Sequence, residues 1–147
     1  MKELLVFLIA LVIISSCALA QDVEIKNISE VNISEGIVLL DFMATWCTYC
    51  RQEMDELQIV HEQYGDEIRI ISIDIDPRES TEVISGYKEE INAGWEFAVD
   101  DSGLSTEYQA FNLPTLILLK DGEQIERYVG TRSASADILI EDIEKVL

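Results

Sequence analysis

Runs of apolar residues and their spacing divide the first half of the chain into strands and helices. A near-continuous apolar run from Ile37 to Met43 predicts a strand buried on both faces of a sheet, interrupted only by Asp41. Apolar positions at alternating spacings of four and three predict a helix from about Cys47 to Tyr64, which Gly65 ends. A second β-rich run, from Ile68 to Ile75, predicts the next strand.

The alternation continues through the second half of the chain. Asp76 and Pro77 are typical of a helix N-cap and first helical position, and they predict a helix that runs to about Ile91. Asp121-Gly122 favours a two-residue hairpin turn between two strands. The other predicted elements are a strand at Trp95–Val99, a brief helix at Gly103–Gln109, strands at Thr115–Leu119 and Gln124–Val129, and a last helix from near Ser133. This order indicates an α/β fold with a mixed sheet sandwiched by helices.

The composition is that of one globular domain with an acidic surface. The 147 residues are 48% hydrophobic and 27% charged, which suits a single core. The formal net charge of −19 would repel nucleic acid and anionic membrane surfaces. We expect no nucleic-acid partner, and we expect a monomer.

The N-terminus has the pattern of an export signal. An apolar run from Leu4 to Ile14 is followed by Ala18-Leu19-Ala20, which suits cleavage before Gln21. Residues 1–20 are thus predicted to be a signal peptide and residues 21–147 one folded domain. Ile14-Ser15-Ser16-Cys17 also resembles a lipobox, in which cleavage before Cys17 would leave a lipid anchor, and an uncleaved signal would be a marginal anchor itself. Each interpretation places the domain in the periplasm or another extracytoplasmic space.

Cys47 and Cys50, at the predicted start of a helix, are the candidate chemical centre. Cys50 would lie one turn beyond Cys47 on the same edge, near enough for a disulfide to close and reopen. Unpaired backbone N–H groups and the helix dipole would favour the thiolate of Cys47, the reactive form. The alternatives are an inert disulfide or half of a zinc site, but His61 would lie about 21 Å along the helix, out of reach of the sulfurs. The pattern favours a redox pair and no metal.

The segment from Asp41 to Glu53, DFMATWCTYCRQE, closely resembles the active-site segment of thioredoxin-like proteins, particularly the exported TlpA/ResA/CcmG branch. Further matches follow in the same order downstream, at Ala98-Val99-Asp100, Tyr108–Thr115, Lys120–Glu123 and Gly130. They cover essentially the whole mature chain. The resemblance implies a thioredoxin-like fold and a thiol:disulfide oxidoreductase that uses no cofactor.

The resemblance also implies roles for individual residues. Cys47 would attack a disulfide of a protein substrate, and Cys50 would then release the reduced product. The family places a buried acid at the position of Asp41, where burial without a cationic partner would raise its pKa and suit it to accept a proton from Cys50. Pro114 corresponds to a cis-proline against the disulfide, and the backbone of Leu113 would pair with an extended substrate.

Substrate contacts are implied for the residues around the cysteine pair. Trp46 would be a core residue, a lid beside the pair, or both. Thr48 and Tyr49 would meet substrate and tune the redox potential, and Leu113 is a further expected substrate contact. Glu53 either matches a family acid or is a solvated residue of an acidic helix. The residues leave that choice open.

These observations predict an exported enzyme that reduces protein disulfides and receives electrons from a membrane-embedded thiol reductase. Peroxide reduction is one alternative, disfavoured because Ala44 stands where peroxiredoxins carry threonine. A redox-inert or copper-binding module on the same scaffold is another, since fold alone does not establish function. The direction of electron flow also stays open.

Overall fold

The computed structural model of the protein describes residues 23–130 and 134–147. Its strands are β1 (Lys26–Asn27), β2 (Ile37–Met43), β3 (Arg69–Asp74), β4 (Glu96–Val99), β5 (Thr115–Lys120) and β6 (Glu123–Val129). They form one sheet in the order β1-β4-β3-β2-β5-β6. The first four are parallel, whereas β5 runs antiparallel to β2, and β6 antiparallel to β5. The sheet is mixed, as predicted.

Helices cover both faces of this sheet. They are α1 (Thr48–Tyr64), α2 (Thr81–Glu90), α3 (Leu104–Glu107) and α4 (Ala136–Glu144), with short 3-10 helices at Ile28–Glu30 and Gly65–Glu67. Apolar side chains of α1, α2 and α4 pack on one face, and those of α3 and the first 3-10 helix pack on the other. Because side chains alternate along a strand, Asp41 shares its face with Leu39 and Met43, which belong to the α1 layer.

The predicted start of a helix at Asp76 is wrong. The first residue of α2 is Thr81, and Ser80 is its N-cap, whose hydroxyl accepts a hydrogen bond from the Val83 N–H at 3.4 Å. The Asp76 carboxylate instead accepts from the N–H of Arg78 at 3.0 Å, within a local turn. Asp76 therefore caps a turn, and the helix begins at Thr81, four residues after Pro77.

Most of the other predicted elements are confirmed within one or two residues. Asp121 and Gly122 both have positive φ, at 50° and 81°, as a type I′ hairpin turn requires. Strand β1 was not predicted, because two residues are too few to show a periodic pattern. The signal at residues 1–20 and Ser133 lie outside the described residues. No helix within the described ranges is long and apolar enough to cross a membrane.

Candidate active site

The two cysteines lie where α1 begins, just beyond the carboxyl end of β2. Cys47 is the N-cap of α1, and its sulfur accepts a hydrogen bond from the Cys50 N–H at 3.1 Å. The two residues form a disulfide, with their Cα atoms 5.2 Å apart. Cys47 retains 6% of its surface, whereas Cys50 is fully buried. Of the two sulfurs, that of Cys47 is therefore the one that an incoming substrate can reach.

Asp41 is a fully buried acid on the face of β2 that packs against α1. One of its oxygens, Oδ2, accepts a hydrogen bond from the Ser72 hydroxyl at 2.7 Å. The other, Oδ1, has no hydrogen-bond partner among the described residues. Burial raises the pKa of Asp41 to about 7, although the hydrogen bond from Ser72 lowers it in part. Asp41 can thus take up or release a proton near neutral pH.

Glu53 is a second buried acid beside the cysteine pair. It lies one turn after Cys50 on α1 and is fully buried, so the interpretation of Glu53 as a solvated residue is wrong. Neither carboxyl oxygen has a hydrogen-bond partner within the described part of the chain. Burial raises its pKa to about 8, with a further contribution from the negative charges of Asp41 and Glu56. The spacing from Cys50 is the signal that could have placed Glu53 on the buried face.

The turn between β3 and α2 supports the segment that precedes Cys47. The indole N–H of Trp46 donates to Asp76 Oδ2 at 2.7 Å, and Arg78 forms an ion pair with the same carboxylate at 2.6 Å. Hydrogen bonds from Arg78, and then from Trp46, hold the pKa of Asp76 well below its usual range. Both the N–H and the hydroxyl of Thr45 donate to Glu79. The sequence pattern predicts a helix start at Asp76 and gives no sign of this support.

Asp74 lies behind the same turn and is nearly buried. Its Oδ1 accepts a hydrogen bond from the Asp76 N–H at 2.9 Å. Burial, followed by the interaction with the neighbouring Glu79, raises the pKa of Asp74 above its usual range. Glu79, the acceptor for Thr45, thus lies close to a second carboxyl group.

An open groove of about 670 Å³ lies over the cysteine pair. Its lining residues are Trp46, Cys47, Thr48, Tyr49, Ile75, Asp76, Pro77, Arg78, Phe111 and Leu113. Trp46, Tyr49 and Phe111 are each more than 60% exposed, so the groove presents aromatic surface to solvent. Phe111 is a groove residue that no sequence motif indicates.

The Leu113–Pro114 segment contributes Leu113 to the lining of the groove. The peptide bond between the two residues is cis, and the Pro114 carbonyl accepts a hydrogen bond from the Gly130 N–H at 2.9 Å. Leu113 is half-buried and precedes the first residue of β5 by two positions. The structure thus brings Cys47 together with the four predicted substrate contacts, Trp46, Thr48, Tyr49 and Leu113, around this groove. Cys50 follows on α1, and Asp41 interacts electrostatically with Glu53, one turn after Cys50.

Comparison with known proteins agrees with this geometry. The Thioredoxin-like domain family matches residues 26–145. Thioredoxin of Bacillus subtilis (strain 168) is 33% identical over 103 residues, which cover 70% of this chain and 77% of that protein.

Two solved structures share the fold at lower identity. A thiol-disulfide oxidoreductase from Bacteroides fragilis NCTC 9343 has a TM-score of 0.64 at 22% identity, covering 76% of this chain and 82% of that one. The exposed lipoprotein thioredoxin Etrx1 from Streptococcus pneumoniae strain TIGR4 has a TM-score of 0.65 at 19% identity, covering 76% and 86%. The chain thus belongs to the thioredoxin-like family, and it is a thiol:disulfide oxidoreductase with Cys47 and Cys50 as its cysteine pair.

Proposed function

We propose that this protein reduces disulfides of other proteins outside the cytosol. The thiolate of Cys47 attacks one sulfur of a substrate disulfide, so that a mixed disulfide forms and the other substrate sulfur leaves as a thiolate. Cys50 loses its proton and attacks Cys47, which releases the second substrate thiolate. The substrate gains two electrons, and the Cys47–Cys50 disulfide remains.

The observation that carries this assignment of roles is the unequal exposure of the two sulfurs. Only the partly exposed Cys47 can meet a macromolecular disulfide, and the fully buried Cys50 can attack only its neighbour. Cys47 also caps α1, where the unpaired N–H groups of the first turn stabilise a thiolate. Asp41, with an unpartnered oxygen and a pKa of about 7, is suited to take the proton from Cys50.

The reductive direction is supported by the acids beneath the pair. Asp41 and Glu53 are buried in the same region and have no cationic hydrogen-bond partner among the described residues. At pH 7 Asp41 is partly ionised, and its negative charge disfavours a thiolate on Cys50 relative to the neutral disulfide. A dithiol whose reduced form is destabilised gives up its electrons readily, the reverse of a strong disulfide donor.

The groove is the proposed site of the substrate chain. Trp46, Thr48, Tyr49 and Leu113 line the groove together with Cys47. The exposed aromatic rings would cover apolar side chains of a substrate segment, and the backbone of Leu113 would pair with it in extended form.

The same proposal includes export and an electron donor. The apolar run before Ala18-Leu19-Ala20 supports a signal peptide at residues 1–20, or a lipoprotein signal cleaved before Cys17. The similar pneumococcal structure is an exposed lipoprotein. Because each cycle consumes two electrons outside the cytosol, we propose a membrane-embedded thiol reductase as their source. Intact mass of the exported protein, beginning at Gln21 or at a lipid-modified Cys17, distinguishes the two forms.

Insulin reduction in the presence of dithiothreitol tests the cycle. We expect Cys47→Ser to abolish the activity, and Cys50→Ser to accumulate a mixed disulfide that mass spectrometry detects. Cys17→Ser is the matched control and should keep full activity. Activity that survives Cys47→Ser would refute the role of Cys47.

The reduction potential of the cysteine pair tests the direction. We expect the reduction potential of a reductase to lie below about −200 mV, nearer to that of thioredoxin, about −270 mV, than to that of the strong oxidant DsbA, about −120 mV. A value near −120 mV would instead indicate a disulfide donor, and the proposed direction would be wrong.

A further inference from the structure

A buried hydrogen-bond chain runs from Trp95 to Asp41. The indole N–H of Trp95 donates to the Ser72 hydroxyl at 3.0 Å, and that hydroxyl donates to Asp41 Oδ2 at 2.7 Å. Trp95 retains 5% of its surface, and Ser72 and Asp41 are fully buried. We propose that Trp95 and Ser72 are positioning residues that set the proton affinity of Asp41 and leave Oδ1 as the oxygen that accepts the proton.

The sheet register creates the first link of this chain. Asp41 on β2 and Ser72 on β3 are direct partners in the parallel ladder, so their side chains lie side by side on the same face. Phe97 is the partner of Ser72 on β4, and Trp95 immediately precedes that strand. Ser72 thus lies between the acid and the indole.

The order of donors in the chain follows from the chemistry of the groups. The indole N–H of Trp95 can only donate, so the Ser72 oxygen must accept it. A serine hydroxyl has one hydrogen, and that hydrogen is left to point at Asp41. Trp95 therefore holds Ser72 as a donor to the carboxylate, which stabilises the charged form of Asp41 against the effect of burial.

Other groups that face Asp41 come from α1 and α2. Glu53 on α1 and the Tyr87 hydroxyl on α2 both interact electrostatically with Asp41, and Arg51 lies 5.5 Å from the Tyr87 ring centre. The pKa of Glu53 is raised to about 8 and that of Tyr87 to about 12, so both are mainly neutral at pH 7. Within the described residues, Ser72 supplies the one hydrogen bond to the carboxyl group of Asp41.

The inference rests on the proposed function only for its effect on turnover, and a titration tests it independently. The carboxyl carbon of Asp41 is followed by 13C NMR against pH in the oxidised, full-length protein. We expect Ser72→Ala to move the titration midpoint upward by about one pH unit, the effect of losing one hydrogen bond to a charged acceptor. Ser72→Thr keeps the hydroxyl and should keep the midpoint.

The role of Trp95 is tested by a second pair of variants. Trp95→Phe removes the N–H but keeps an aromatic ring, and we expect a smaller upward shift because the Ser72 hydroxyl becomes free to turn. In the double variant, the shift should equal that of Ser72→Ala alone, since Trp95 acts through Ser72. His61→Gln is the matched control, because the His61 ring packs against Trp95 without a hydrogen bond to it, and it should leave the midpoint unchanged.

An unshifted midpoint in Ser72→Ala would overturn the inference, and so would shifts from Ser72→Ala and Trp95→Phe that add in the double variant. The pH profile of insulin reduction separates this inference from the proposed function. If the midpoint moves and the activity profile moves with it, both are supported. If the midpoint moves while the profile stays, Trp95 and Ser72 act as inferred, but Asp41 is not the proton acceptor of the reaction.

Discussion

Carboxyl groups near the two ends of the parallel strands have pKa values shifted in opposite directions. At the amino ends, Glu96 receives Arg69 at 2.6 Å and Lys26 at 3.2 Å, one residue from each neighbouring strand of β4. Partial burial raises its pKa, but these hydrogen bonds outweigh burial and lower it overall. On the α1 face, nearer the carboxyl ends, Asp41 and Glu53 have no such cations, and burial raises both pKa values.

The difference distinguishes a carboxylate that contributes to stability from carboxyl groups that are suited to proton exchange. A carboxylate with two cationic partners stays ionised and holds strands together. A buried carboxyl without them costs stability when it ionises, but it can exchange a proton near neutral pH. Asp41 and Glu53 are of this second kind, and in the proposed mechanism Asp41 accepts the proton of Cys50.

The largest expected effect is on the pH dependence of stability at Asp41. Its pKa rises from 3.8 to about 7 on folding, so the folded protein binds the proton more tightly, and stability falls as the pH rises from about 4 to 7. Asp41→Asn removes this loss. Relative to wild type, the oxidised variant should gain about 4 kcal/mol in free energy of unfolding between pH 4 and pH 8, as an upper limit. Urea denaturation at both pH values measures this gain. If the free energy of unfolding depends on pH in the same way in the variant and in wild type, the raised pKa of Asp41 is wrong.

A gain of similar size and the same sign is expected at Glu53. Its pKa rises from 4.5 to about 8, so the loss of stability accumulates over that pH range. Part of the rise comes from the charge of Asp41, and the two effects therefore overlap. We expect Glu53→Gln to gain about 4 to 5 kcal/mol by pH 9, as an upper limit, and less in an Asp41→Asn background. Fully additive gains would show that the two acids do not interact.

The opposite sign and the smallest effect are expected at Glu96. Its lowered pKa stabilises the fold above its unfolded pKa, and this contribution is lost as the pH falls through the folded-state value. Because the paired side chains are about one third exposed, solvent screening limits the pair, and Glu96→Gln should cost about 0.5 to 1 kcal/mol at pH 7. The cost should shrink in 1 M NaCl. Glu89→Gln, at an exposed position, is the control. An equal loss of stability in this variant would show that the ion pairs of Glu96 do not stabilise the fold.

The sequence could predict what depends on neighbours along the chain. The apolar run of β2, the spacing of α1 and the Asp121-Gly122 turn are local patterns, and each element is confirmed. Asp41 was visible as the one polar residue in a buried strand. Its burial is confirmed.

The rest depends on contacts between distant segments. Ser72 lies 31 positions from Asp41 and meets it only through the register of β2 and β3. Trp46 meets Asp76 across 30 positions, and that contact belongs to the turn where a helix was predicted. Local propensity carries no information on such pairings, which is why the surroundings of the site became visible only in three dimensions.

The reactivity of Cys47 in the reduced protein tests the account most directly. Iodoacetamide labelling against pH, read by mass spectrometry, gives the rate at each cysteine. We expect fast labelling of Cys47 with a midpoint below the ordinary thiol pKa of about 8.5, because the thiolate caps α1, and little labelling of the buried Cys50. If Cys47 reacts no faster than an ordinary exposed thiol at every pH, the helix start does not activate it and the account is wrong.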